Sequence, residues 1–182
     1  EYLFASCDAR LKARLLLCLP GVPVPELRLF AFRGLADDDK EVRLQSLKTL
    51  KEYGDVEAVS ACRQLITDPV PEVRMLAAKN LAEYAEEGET IRGLLADAGR
   101  EAAFKKAILD GLSVSSSLLT LELILWSIAQ LPELQGSAIE ALSLRKGPVD
   151  TEYILRAYGN AEVKTRALIA KSYARMDDKG AS

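Results

Sequence analysis

The side chain most often used for chemistry at neutral pH is missing from this chain. None of its 182 residues is histidine. That removes the commonest general base, the Ser-His and Cys-His nucleophile pairs and the usual zinc ligand. The acidic run Asp37-Asp38-Asp39, followed by Lys40 and Glu41, has the charge of a metal loop. It lacks the spaced ligands and the glycine of a calcium loop, and reads instead as a solvated turn at a helix N-terminus. Glu86-Glu87-Gly88-Glu89 reads as a surface turn, and the serines at 115 to 117 have no base beside them, which makes them a linker or a cap. Cys7, Cys18 and Cys62 are an odd number without CxxC spacing, each among apolar neighbours. Buried, reduced thiols of a cytosolic-type protein are expected. Trp126 sits in the most apolar stretch and is expected in the core. No glycine-rich phosphate loop is present. These residues imply no enzyme, no cofactor and no metal.

Composition narrows the partners. A net charge of −3 and a pI near 5.2 argue against non-specific nucleic-acid binding, which depends on clustered Lys and Arg. Hydrophobic residues at 49% can fill a core while charged residues at 28% cover a soluble surface. The longest apolar run, 117 to 131, carries Glu122 and falls short of the ~20 residues a bilayer requires, so it reads as a buried helix. The chain opens on Glu1 rather than Met, as a fragment or processed product would, and "LFASC" fits a lipoprotein cleavage box poorly because of Phe4. A cytoplasmic protein, or a cytoplasm-facing soluble part of a larger one, is expected.

The elements that must position any site announce themselves by repetition. "LADDDKEVRLQSLKTLKEYG" (35–54) and "ITDPVPEVRMLAAKNLAEYA" (66–85) lie 31 residues apart and agree at 8 of 20 positions, among them Asp37/Asp68, Glu41/Glu72, Val42/Val73, Arg43/Arg74 and Leu50/Leu81. Ordinary usage would give roughly one match. Within the first copy, Val42, Leu44, Leu47, Leu50 and Tyr53 recur at helical spacing. Gly54-Asp55 breaks that helix, with Asp55 a natural N-cap for the next. The second helix keeps Val56, Val59, Cys62, Leu65 and Ile66 on one stripe and sets Glu57, Ser60, Arg63 and Gln64 outside it. Pro69 and Pro71 suit the following turn and first helical turn. The second copy's partner helix is 88–97. Upstream, 10–19 and 25–35 form an earlier pair, with Leu11, Leu16 and Leu19 lying 31 residues before Val42, Leu47 and Leu50. Downstream the pattern degrades: a helix over 99–112, a polar break at 113–117, helices over 117–131 and 132–144, a turn at "RKGPVD", a short helix over 151–159 and a last helix over 160–176. The tail 177–182 is expected to fray.

The motif "DDDKEVRLQSLKTLKEYGDVEAVSACRQL" and its copy "DPVPEVRMLAAKNLAEYAEEG" resemble the HEAT repeat, in the short bacterial form called the phycobilisome-lyase-type HEAT-like repeat. The resemblance implies an all-α solenoid of stacked antiparallel helix pairs, about five to six repeats in a single domain over 1–182. The clearest repeats are 35–65 and 66–97, those over 98–157 are degenerate, and the last is 158–176. In that family the Asp of the turn and the Arg six residues later link neighbouring repeats, which falls here on Asp37 and Arg43 and on Asp68 and Arg74. An Arg fork can hold a carboxylate and nearby loop carbonyls at once.

With no chemistry to carry, the function falls to the surface. The concave face of such a solenoid is lined by the second helix of each repeat. Glu57, Ser60, Arg63 and Gln64 are then candidates for partner binding, with Glu89 and Arg92 from the next repeat and Arg28 and Arg33 from the preceding one. The expected function is a protein-interaction scaffold or adaptor. Two alternatives share the architecture: a bilin or tetrapyrrole lyase-like chromophore chaperone, for which no cofactor-bearing residue speaks, and a HEAT-like nucleic-acid-binding protein, against which pI and 6% aromatics argue. A deoxyhypusine-hydroxylase-like enzyme would need His-Glu metal motifs and is excluded by the absence of His.

Overall fold

The computed structural model describes residues 4, 7–19, 25–53, 56–84 and 87–145, with single positions and short runs between 155 and 174. Nine α-helices and one short 3-10 turn have their bounds among these residues, further single positions are helical, and no described residue is in a strand. The chain divides into two compact units, Glu1–Asn80 and Leu81–Ser182.

The first unit holds α1 (Ala9–Leu17), α2 (Pro25–Gly34), α3 (Lys40–Tyr53), α4 (Val56–Leu65) and most of α5 (Pro71–Ala82). Asp8 starts α1 by accepting the Leu11 amide at 2.7 Å, satisfying one of the orphan donors of a helix start. Helix α3 is the centre of this unit and packs against α1, α2 and α4. Its buried line of Val42, Leu47 and Leu50 is the periodic stripe of the sequence, with Leu44 and Tyr53 half-buried. The residues between them also go inside. Ser46 and Thr49 are fully buried, and the Thr49 hydroxyl donates to the Leu16 carbonyl of α1 at 3.0 Å. Small residues are required there. A Cβ on Gly34 would lie 2.1 Å from Ser46 Oγ and 3.3 Å from Val42 Cγ1. Gly34→Ala is therefore expected to destabilise by about 1–3 kcal/mol in a urea titration, since Ser46 must move into an already filled contact.

The second unit holds α6 (Gly88–Ala96), α7 (Ala102–Val114), α8 (Leu118–Gln130), the 3-10 turn Pro132–Leu134 and α9 (Gln135–Leu144). Helix α8 packs against α6, α7 and α9, which explains its composition. Leu121, Leu123, Ile124, Leu125 and Ile128 are all buried, on nearly every side of the helix. Its N-cap is Ser117, whose Oγ accepts the Leu119 amide at 3.2 Å. The polar break proves shorter than 113–117, because Ser113 and Val114 complete α7, with Ser113 Oγ turned back onto the Asp110 carbonyl at 2.7 Å.

Two expectations are corrected. Cys18 is exposed at the C-cap of α1 and Cys7 is half-buried, so only Cys62 is a buried thiol. Trp126 is half-buried rather than internal, with the Arg92 guanidinium 5.4 Å over its ring. The Gly54-Asp55 break, the turn at 146–150 and the tail 177–182 lie outside the described residues. So does most of 151–159. Within 160–176, residues 163, 164, 166, 167 and 169–171 are helical and Ile169 is buried. A labelling test follows from the cysteines: Cys18 should react with a thiol reagent in the native protein, whereas Cys62, at 3% exposure, should wait for unfolding.

Candidate functional site

Two sets of polar residues stand out, and they differ in kind. The first is built into the turns. Arg43 is buried where α3 begins, and its fork holds both oxygens of Asp68, with Nε to Oδ2 at 2.8 Å and Nη2 to Oδ1 at 3.0 Å. Its Nη1 donates to the carbonyls of Asp37 and Asp38 at 2.8 and 2.9 Å. One guanidinium thus ties two successive turns. Arg74 repeats half of this, its Nη1 reaching the carbonyls of Asp68 and Pro69 at 2.8 and 3.0 Å. The Asp37 carboxylate, six residues before Arg43, is held instead by Lys12 of α1 at 2.7 Å and by the Asp39 amide at 3.0 Å. The acidic run is therefore occupied with its own turn and its neighbour. The Asp39 carboxylate likewise accepts the Glu41 amide at 2.8 Å.

The sequence reading missed Lys12. Its signal was there, since Lys12, Arg43, Arg74 and Lys105 follow one another at 31-residue intervals. Lys105 is buried in the second unit, with its ammonium 3.7 Å from Glu133. Arg145 is also buried, donating to Thr120 Oγ1 at 2.9 Å and to the Ser117 carbonyl at 2.5 Å. Burial lowers its pKa, since desolvation penalises the charged form.

The Lys12–Asp37 pair makes stability depend on pH. Burial pushes the Asp37 carboxyl up, but the Lys12 hydrogen bond, the Asp39 amide and the Lys12 and Arg43 charges outweigh it and hold it below the usual carboxylate value. The hydrogen bond to Asp37 raises the Lys12 pKa. A depressed acid stabilises the fold above its unfolded pKa, near ~4, and loses that contribution as pH falls through the folded value. A raised Lys stabilises below its unfolded pKa, near ~10.4, and loses that contribution as pH rises through the folded value. Stability from this pair should thus be flat between those limits and fall on both sides. In melts across pH, Lys12→Met should reduce both slopes.

The second set lies on α2 and α4. An open groove of about 320 Å³ runs between them, with Leu29, Phe32, Leu35 and Ala61 as its apolar lining and Glu57, Ser60 and Gln64 as its polar side. Leu29 is 53% exposed, large and apolar, in the wall of this groove. Arg28 fixes one end. Its guanidinium lies 5.7 Å over Phe32 and 5.1 Å over Tyr53 and donates to Glu57 at 2.5 Å. Arg28, Glu57, Ser60 and Gln64 are thus brought together. Arg33 and Arg63 are exposed on the same two helices but do not line the groove. Glu89 and Arg92 belong to α6 in the second unit, 3.9 Å apart. The apolar lining was missed in the sequence, although the spacing of Leu29, Phe32 and Leu35 by threes was its signal.

No helix among the described residues is long and apolar enough to cross a membrane. No curated protein matches the chain significantly. A family model does match: HEAT repeats, over residues 1–82 and again over 29–102, together more than half of the 182 residues. Helix pairs joined by turns, with no strand among the described residues, agree with that match and give the all-α solenoid class. The chain belongs to the HEAT-repeat family.

Proposed function

We propose that the chain is a non-enzymatic scaffold or adaptor that binds another protein on the second-helix face, with the α2–α4 groove as the contact in its first unit. HEAT repeats in general mediate protein–protein interaction, and the observation that carries the proposal is the groove. Leu29 stands half in water beside Phe32 in the wall of an apolar groove, where a partner's apolar side chain would cover it. The braced Arg28–Glu57 pair would form part of the polar rim that surrounds such a contact. Arg63 and Arg33, further out, would meet acidic groups of the partner. On α6 Arg92 would do the same, and Glu89 would meet basic groups of the partner. We read the repeats as the bacterial phycobilisome-lyase-type form on the motif alone, and a cytoplasmic location goes with that reading. A single solenoid domain over 1–182 is part of the same proposal.

The test is a pull-down with matched melts. Leu29→Asp should leave stability within about 0.5 kcal/mol, as expected for an exposed helix position, and should remove the captured partner. Arg63→Glu should weaken capture without loss of stability. A Leu29→Asp protein that folds normally and still captures the partner would contradict the proposal.

A further inference from the structure

Arg145, at the C-cap of α9, is a buried cation held by neutral oxygens. It is 7% exposed. Its Nη1 donates to the Thr120 hydroxyl and its Nη2 to the Ser117 carbonyl, which lays the guanidinium against the first turn of α8. Its Nε is fully buried and has no acceptor among the described residues. No carboxylate among them pairs with Arg145, and burial alone moves its pKa, downward. A buried charge ordinarily has a counter-ion, because its desolvation is otherwise uncompensated. Arg43 shows how this chain meets that requirement. Its Nη1 takes the turn carbonyls, and its Nε–Nη2 edge takes the Asp68 carboxylate. On Arg145 the same edge has no acid among the described residues.

The surroundings suit an anion with an apolar body. Helix α8 is 13 residues long, and the amides of its first turn favour negative charge at this end. Leu118, next to the bonded Ser117, is 42% exposed, and Leu144, next to Arg145, is 50% exposed. We propose that the Nε–Nη2 edge of Arg145 anchors a carboxylate-binding site at the start of α8, for a ligand whose carboxylate is borne on an apolar body. The carboxylate takes Nε and the second Nη2 proton in the fork already seen at Arg43, and the apolar body rests on Leu118 and Leu144. The site lies in the second unit and does not depend on the α2–α4 groove.

Butyrate is a small probe with both parts. Titrated at constant ionic strength and followed in proton–nitrogen NMR spectra, it should shift the Arg145 Nε–H and the Leu118 amide saturably. One fork and a short tail give a Kd of roughly 1–100 mM. Butyramide, uncharged and of the same shape, should leave both signals in place. Arg145→Lys keeps the charge without the fork and should raise Kd about tenfold or more, read at the Leu118 amide. Should that variant not fold, Leu144→Glu decides: the position is exposed, and a carboxylate of the chain's own there should weaken butyrate as much. No shift with butyrate, equal shifts with butyramide, or a folded variant of either kind that binds like the parent overturns the site. Shifts with inorganic phosphate but none with butyrate overturn the carboxylate as its ligand.

Discussion

Arg43→Ala is expected to lower stability by roughly 3–5 kcal/mol, the cost of leaving a buried charge without its partner. The Asp68 side chain is 3% exposed and would lose both guanidinium bonds, keeping only the Val70 amide at 2.8 Å. The carbonyls of Asp37 and Asp38 would lose a donor in the same step. Adding Asp68→Ala should recover part of the loss, because the stranded charge goes with it. A urea titration decides between these outcomes, and a loss under ~1 kcal/mol would mean that the pair behaves as a surface salt bridge. The effect on partner binding should be nil at temperatures where the protein stays folded.

The second large effect is expected where the repeat motif has faded. Ile124 is wholly buried in α8, a helix that packs against three others and lies beyond the residues matched as HEAT repeats. Ile124→Ala should cost about 2–5 kcal/mol through lost burial and the cavity left behind. Leu118 of the same helix is 42% exposed, and Leu118→Ala should cost no more than about 0.5 kcal/mol. Equal costs for the two would show that α8 is rotated from the orientation described.

The helices were legible because a buried stripe must recur at helical spacing, and the stripe of α3 does so in the bare sequence. The same spacing set Glu57, Ser60, Arg63 and Gln64 on the outside of α4, where the structure has them exposed. Pairing was less legible. The turn Asp and the Arg six residues later mark a link between repeats, but not which carboxylate the fork takes: Arg43 holds the Asp68 carboxylate 25 residues later and takes only the carbonyl from Asp37. Spacing along one helix says little about which turn lies beside it. Lys12 was hidden among leucines that drew the eye to the apolar stripe. Cys18 looked buried by its neighbours' character, but Leu15 and Leu17 beside it are exposed too, so composition misled at the edge of the unit. The groove escaped because an apolar stripe on 25–35 does not say whether a neighbouring helix covers it. Packing leaves Leu29 exposed and Phe32 half-buried in the groove wall, while Leu35 is buried at its base.

The division between the two sets of residues gives the account its central claim. Residues that recur every 31 positions hold the turns together, and residues that differ between second helices meet the partner. Site-specific photo-crosslinking tests that claim most directly. A photoreactive side chain at position 29, 60 or 64, on the walls of the α2–α4 groove, should capture the same protein, and unlabelled parent chain should compete it away. A probe at Lys48, exposed on the first helix α3, should capture nothing. Capture from position 48 alone, or from none of the groove positions, would contradict the account.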